Sequence, residues 1–122
     1  MFADEDEVIE QVGYRLMSQG VYFQSVEERG GELRIEYETV APGEGIPRQQ
    51  MGRVINTFRD AIEEGWEPTG LHVAVYDTDG EFRGRWGMEA EWLRSLEAEE
   101  LTEVEFSRRV LSTVSFDERE DS

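Results

Sequence analysis

The only histidine, His72, sets the first limit on the chemistry open to this chain, because a histidine pair, triad or histidine-rich metal cluster needs a second imidazole. A nucleophile activated by a base would have to work through His72, and no serine lies in an elbow sequence that would present one. Its place in the alternating stretch Leu71 to Tyr76 makes His72 an ordinary residue on one face of a strand. The sequence Asp77-Thr78-Asp79-Gly80 begins like a calcium loop, in which closely spaced carboxylates and a glycine wrap oxygen around the ion. Phe82, Arg83 and Trp86 then stand where further oxygen donors and a closing bidentate Glu belong, so the stretch reads as an Asp-Gly hairpin turn and no metal is assigned. With 29 acidic residues, chance alone brings carboxylates to glycosidase-like separations, and no pair can be singled out as acid and base. The loop Gly43-Glu44-Gly45 lacks the preceding strand, the spacing and the lysine of a phosphate cradle. No catalytic residue and no cofactor follows from any of these.

One cluster stands apart. If the second hairpin turns in two residues at Asp79-Gly80, Tyr76 lies opposite Arg83 and Ala74 opposite Arg85, with His72 nearby on the same face. His72, Tyr76, Arg83 and Arg85 are therefore the candidate contacts for an anionic ligand, an acidic partner segment or a second copy of the sheet. The ordinary alternative is that the arginines pair with neighbouring acids and stack on Tyr76.

The elements that must carry this cluster are legible from periodicity. Val8, Ile9, Val12, Leu16 and Met17 recur at helical spacing, giving a helix over about 4–19 with Gly20 as its stop. Residues 21–29 and 32–40 are rich in β-branched and aromatic types around Gly30-Gly31, a hairpin in which either Val21 and Phe23 or Tyr22 and Val26 share the face of Ile35. A Pro-Gly loop follows from Ala41, with Pro47 suited to the first position of a second helix carrying Met51, Val54, Ile55, Phe58 and Ile62 up to Gly65. In the second hairpin Leu71, Val73, Val75, Phe82 and Trp86 share the core face. A short helical piece spans Ala90 to Leu96, and Thr102 with Glu105 forms a capping box opening a last helix that buries Phe106, Val110 and Val114. The order is helix, hairpin, helix, hairpin, helices. The fold class is α+β, and the simplest assembly is a four-stranded antiparallel sheet with helices packed on one face. Length supports one core: a single domain over 1–116 with a frayed acidic tail at 117–122.

The formal charge is −17, and all 12 basic residues are arginine. The acids are spread along the chain and do not form a tail block, which predicts an acidic surface throughout. Such a surface repels itself in dilute buffer and is screened at molar salt, where the Debye length falls to about 3 Å, so the composition points to adaptation to high salt. Nucleic acid and anionic membranes are poor partners for this field. Absence of cysteine removes disulfides, thiolate nucleophiles and cysteine-ligated zinc. The longest apolar run, Val73 to Tyr76, is far short of a membrane span, and the acidic start at Asp4-Glu5-Asp6-Glu7 is unlike a signal peptide, so a cytoplasmic location is expected.

Across Tyr37 to Pro47, Leu71 to Trp86 and Glu103 to Leu111 the chain resembles small haloarchaeal proteins grouped as domains of unknown function. That resemblance implies a haloarchaeal source and a small α+β domain, and it transfers no catalytic residue. The element order is also similar to that of type III secretion chaperones, acidic dimers that bind extended partner segments, a likeness at the level of fold alone. Together these readings favour a non-enzymatic module that binds itself, as a homodimer, or another protein through the sheet. The alternative is a small enzyme using a carboxylate or His72 as its acid-base group, which requires a concave pocket.

Overall fold

The computed structural model describes residues 5–117. Its elements are α1 (Glu5–Met17), β1 (Val21–Arg29), β2 (Glu32–Thr39), α2 (Arg48–Glu63), β3 (Gly70–Tyr76), β4 (Phe82–Met88), α3 (Ala90–Glu97) and α4 (Glu103–Leu111). Helix α1 buries Val8, Val12 and Leu16, spaced four apart along one stripe. Strands β1 and β2 turn on Gly30 and Gly31, both at positive φ (57° and 79°), the backbone that a tight hairpin turn with right-handed twist demands. Pro47 is the N-cap of α2 and not its first helical residue. That helix buries Met51, Val54, Phe58 and Ala61, and Phe58 meets Trp66 with ring centroids 5.0 Å apart. The capping box of α4 is closed in both directions, Glu105 N donating to Thr102 Oγ1 at 3.1 Å and Thr102 N to Glu105 Oε1 at 3.0 Å. Side chains from all four helices join the inner side of the sheet in one core.

The four strands lie in the order β1-β2-β3-β4, but the sheet is mixed: β1–β2 and β3–β4 are antiparallel, and β2–β3 is parallel. The antiparallel expectation fails because α2 joins the hairpins. At about 1.5 Å per residue a 16-residue helix runs some 24 Å, the length of a strand, and carries the chain from the end of the sheet where β2 finishes back to the end where β2 begins. The chain must then enter β3 in the direction of β2.

Both hairpins contain an irregularity that moves side chains between faces. In β1 the register shifts between Phe23 and Ser25, so Val21, Phe23 and Val26 all lie beside inner positions of β2, opposite Thr39, Tyr37 and Ile35. The first alternative left by periodicity, Val21 with Phe23, is thus present in full, and the bulge adds Val26 from the second while Tyr22 stays on the outer side. In the second hairpin the connection is longer than two residues. Asp77 N donates to Glu81 O at 2.8 Å, and Asp77 Oδ1 accepts from Asp79 N and Glu81 N at 2.8 and 2.9 Å. Gly80 sits at φ 83°. A register shift between Val75 and Tyr76 restores the pairs Val75–Gly84, Val73–Trp86 and Ala74–Arg85, but sets Tyr76 against Phe82. Phe82 therefore leaves the core face it was expected to share, and Arg83 leaves the outer one.

Beyond α4, which ends at Leu111 so that Val114 packs from outside the helix, the chain lies along β4. Arg85 and Ser115 exchange both backbone hydrogen bonds, at 2.8 and 3.0 Å, and Gly87 N donates to Thr113 Oγ1 at 2.9 Å. This strip covers the β4 edge. Asp117, the first residue of the expected frayed tail, accepts from Arg85 Nε through its carbonyl at 3.1 Å; the rest of that tail lies outside the described residues.

Candidate functional site

The outer side of the sheet is a plate of four rows. Reading from β1 to β4, one row runs Ser25, Glu36, Ala74, Arg85, and the next Glu27, Arg34, His72, Gly87. Beyond the first, Tyr22 and Glu38 align with Tyr76 and Phe82; beyond the second, Arg29 and Glu32 align with Gly70. Ser25, Glu27, Arg29, Glu32, Glu36 and His72 are exposed, and Arg34, Tyr76, Phe82 and Arg85 are half-buried. Ala74, small and 6% exposed, floors the middle.

Three of the four candidate residues come together on this plate. His72 Nε2 lies 3.0 Å from Glu32 Oε1, a contact that only the parallel β2–β3 pairing creates. The Tyr76 hydroxyl donates to Glu36 Oε2 at 3.5 Å, and its ring meets Phe82 edge to face, 5.7 Å between centroids. The Arg85 guanidinium carbon lies 5.6 Å above the Phe82 ring. Phe82, assigned to the core by periodicity, is thus the aromatic hub of the outer cluster. Only the bulge places it there, and periodicity carries no signal for a bulge.

Arg83 has a different place. It is 7% exposed, and its Nε and one terminal nitrogen donate to Gly45 O at 2.7 Å and Ala41 O at 2.5 Å. The guanidinium therefore fastens the Pro-Gly loop before α2 to the sheet, two charge-assisted bonds to carbonyls that α2 and β2 leave unused. Its charge also acts on Tyr37, a fully buried phenol whose pKa burial pushes up to about 12, with the neighbouring Trp86 and Arg83 pulling the other way. Neither the Tyr37 hydroxyl nor the Trp86 indole nitrogen completes a hydrogen bond.

Where the plate meets α3, a hollow of about 240 Å³ is lined by Glu32, His72, Arg85, Glu89, Trp92 and Thr113, among others. Thr113 Oγ1 is committed to the main chain of Gly87 and Val110. Ligand pockets run to roughly 300–1,000 Å³, so this hollow is small for an organic substrate. Among the described residues no group of three or more histidine or carboxylate side chains is placed to hold a metal ion, and no helix is long and apolar enough to cross a membrane.

Residues 3–120 match the family described as a domain of unknown function (DUF8159), and the chain belongs to that family. No curated protein and no solved structure matches it.

Proposed function

We propose that this domain is a non-enzymatic protein-interaction module and that its contact surface is the outer plate, with His72, Tyr76 and Arg85, joined by Phe82, at its centre. The observation that carries this reading is a parallel strand pair with one face open to solvent. All-parallel sheets are covered on both sides; in this mixed sheet the outer side of the parallel pair β2–β3 keeps Glu32, Glu36 and His72 exposed. A ring pair capped by a guanidinium supplies an apolar, orientable anchor of the kind that dominates protein interfaces. Arg83 belongs to the scaffold and not to the contact. The small size of the hollow beside His72 weighs against the acid-base enzyme.

The module works in high salt. That part of the proposal rests on the formal charge of −17 and on arginine as the sole basic side chain.

Hydroxyl-radical footprinting tests the contact surface. The protein is oxidised in the lysate of cells that make it, at multimolar potassium chloride, and compared with the purified chain at nanomolar concentration in the same salt. Tyr76 and Phe82 are expected to react several-fold more slowly in the lysate, while Tyr14, 78% exposed on α1, reacts equally in both. Equal oxidation of Tyr76 in the two samples overturns the reading.

A further inference from the structure

We propose that the open edge of β1, with the groove between that edge and α1, is a second contact, separate from the plate, that takes an extended segment of another protein as a fifth strand. The segment carries an apolar side chain followed two residues on by lysine or arginine. The fold treats the two edges of its sheet differently. The strip at 113–115 covers the β4 edge, whereas no described residue pairs with the far side of β1, a strand of nine residues. An open edge presents unpaired main-chain donors and acceptors, the template on which strand addition works.

Only part of β1 is regular enough to serve. At the bulge the Gln24 side-chain amide donates to the Tyr22 carbonyl at 3.5 Å, and beyond it Ser25 to Arg29 pair with β2 without interruption. Antiparallel neighbours alternate between pairs that exchange main-chain bonds and pairs that do not. Counting from the two-residue turn at Gly30 and Gly31, Arg29, Glu27 and Ser25 give theirs to β2, so Val26 and Glu28 turn N–H and C=O to the open side.

The side chains of those two residues select what binds. Val26 and Glu28 lie opposite Ile35 and Leu33, on the inner side of the sheet. Val26 lines a groove of about 430 Å³ together with Ile9, Met17 and Phe23, and Glu10 lines it too. Helix α1 comes close to β1 here, since a Cβ on Gly13 would stand 3.1 Å from the Phe23 ring. The strand neighbour of Val26 therefore places an apolar side chain in this groove, and the neighbour of Glu28 sets a cation against a carboxylate. Among the described residues neither Glu28 nor Glu10 pairs with an arginine, while Glu27 on the outer side is held by Arg29 at 3.1 Å. The same charges disfavour a second copy as the occupant. A two-fold pairing of β1 edges that uses both open positions sets Glu27 directly against Glu27 of the other copy, on chains that each carry −17.

A contact of about four main-chain bonds and one apolar side chain is weak, with a dissociation constant on the order of 100 µM. A diluted lysate therefore leaves the edge open, and Tyr14, which borders the groove, keeps its reactivity there.

Titration of the nitrogen-15-labelled protein in 1 M potassium chloride, followed by amide chemical shifts, tests the proposal. The probe is a blocked seven-residue peptide of alternating lysine and valine, taken to about 1 mM. Saturable shifts confined to residues 25–29 and the neighbouring part of α1 are expected, with slower exchange of the Val26 and Glu28 amides. A peptide of alternating glutamate and valine is expected to bind at least tenfold more weakly, and Glu28→Lys, at an exposed position, to erase that preference. Proline in place of the central valine of the probe removes a donor and breaks strand pairing, and is expected to abolish binding. No shift at the highest concentration, shifts scattered over the acidic surface, a preference unchanged by Glu28→Lys, or binding that survives the proline overturns the proposal. Shifts confined to the outer plate overturn it as well and leave the plate as the contact surface.

Discussion

Arg83 and Tyr37 show how a side chain becomes structural through its partners and not through its type. The Arg83 guanidinium holds two loop carbonyls in a site that admits little water, so Arg83→Met strands both acceptors. The expected cost is about 3 kcal/mol, read as a lower urea midpoint with an unchanged slope, and Arg83→Lys recovers only part of it because an ammonium does not reproduce the fork. Tyr37 predicts a pH effect of definite sign. Its folded pKa of about 12 lies above the unfolded value of 10.0, so its contribution is complete below pH 10 and is lost as pH rises towards 12, on the order of 2–3 kcal/mol for a phenol this deeply buried. Tyr37→Phe should flatten that alkaline limb in thermal unfolding. At neutral pH it should cost little or nothing, since the hydroxyl it removes has no hydrogen-bond partner. At this scale the sequence was half readable. Alternation along Leu71 to Tyr76 is enough to put His72 and Tyr76 on the outer face, and Arg85 lies there because the register shift between Val75 and Tyr76 restores the Ala74–Arg85 pair. Arg83 and Phe82 were exchanged, because one extra residue in β4 inverts the faces between the bulge and the turn.

The elements themselves are set by local chemistry, and their neighbours are not. Helix and strand boundaries fall within a few residues of the periodic pattern, and the Thr102–Glu105 capping box is present as the spacing requires. Replacing Thr102 by Ala is expected to cost about 1 kcal/mol. The same box holds the Glu105 carboxyl below its ordinary range, chiefly through the bond from the Thr102 backbone N–H. That support is present above the ordinary carboxylate pKa and disappears as pH falls through the lowered one; alanine at 102 keeps the backbone donor, so Glu105→Gln is the substitution expected to remove this pH dependence. Which strands adjoin was less legible. Alternation states which side chains share a face and is silent on the direction of the next strand; the parallel β2–β3 pair, and with it the His72–Glu32 contact, comes from the crossover through α2. The strip at 113–115 along β4 carries no apolar period at all, being held by main-chain bonds and a threonine hydroxyl. Gly87 tests how closely β3 and β4 depend on one another: a Cβ there would stand 2.6 Å from the Leu71 carbonyl oxygen, backbone that cannot swing aside. Gly87→Ala should therefore cost about 1–3 kcal/mol and speed amide exchange selectively at the Leu71–Met88 end of the hairpin.

For the whole molecule the governing quantity is the charge of −17 on 122 residues. Self-repulsion of this size opposes the compact state, and it acts over the Debye length, about 10 Å at 0.1 M salt and about 3 Å at 1 M. Ion pairs offset little of it. Arg15–Asp60 at 2.8 Å is about half exposed on both sides, where a pair contributes at most about 1 kcal/mol. Arg59 is the stronger case, bridging Glu97 and Glu103 at 3.0 and 3.1 Å and tying α2 to α3 and α4. The melting temperature should therefore climb steeply with potassium chloride between 0.1 and 1 M, where screening removes most of the repulsion, and more slowly above that. Repulsion and general exclusion of solute from the surface can be separated, because only repulsion depends on the number of carboxylates. Glu10, Glu44, Glu64 and Glu100 are exposed, and changing all four to Gln removes charge with little change in shape. The quadruple variant should be more stable than the parent at 0.1 M and should gain less on going to 1 M, so that the two curves converge. Sucrose at matched osmolality acts by exclusion and should raise both proteins equally. Parallel salt curves for the parent and the variant would mean that the acids are not what makes this fold depend on salt.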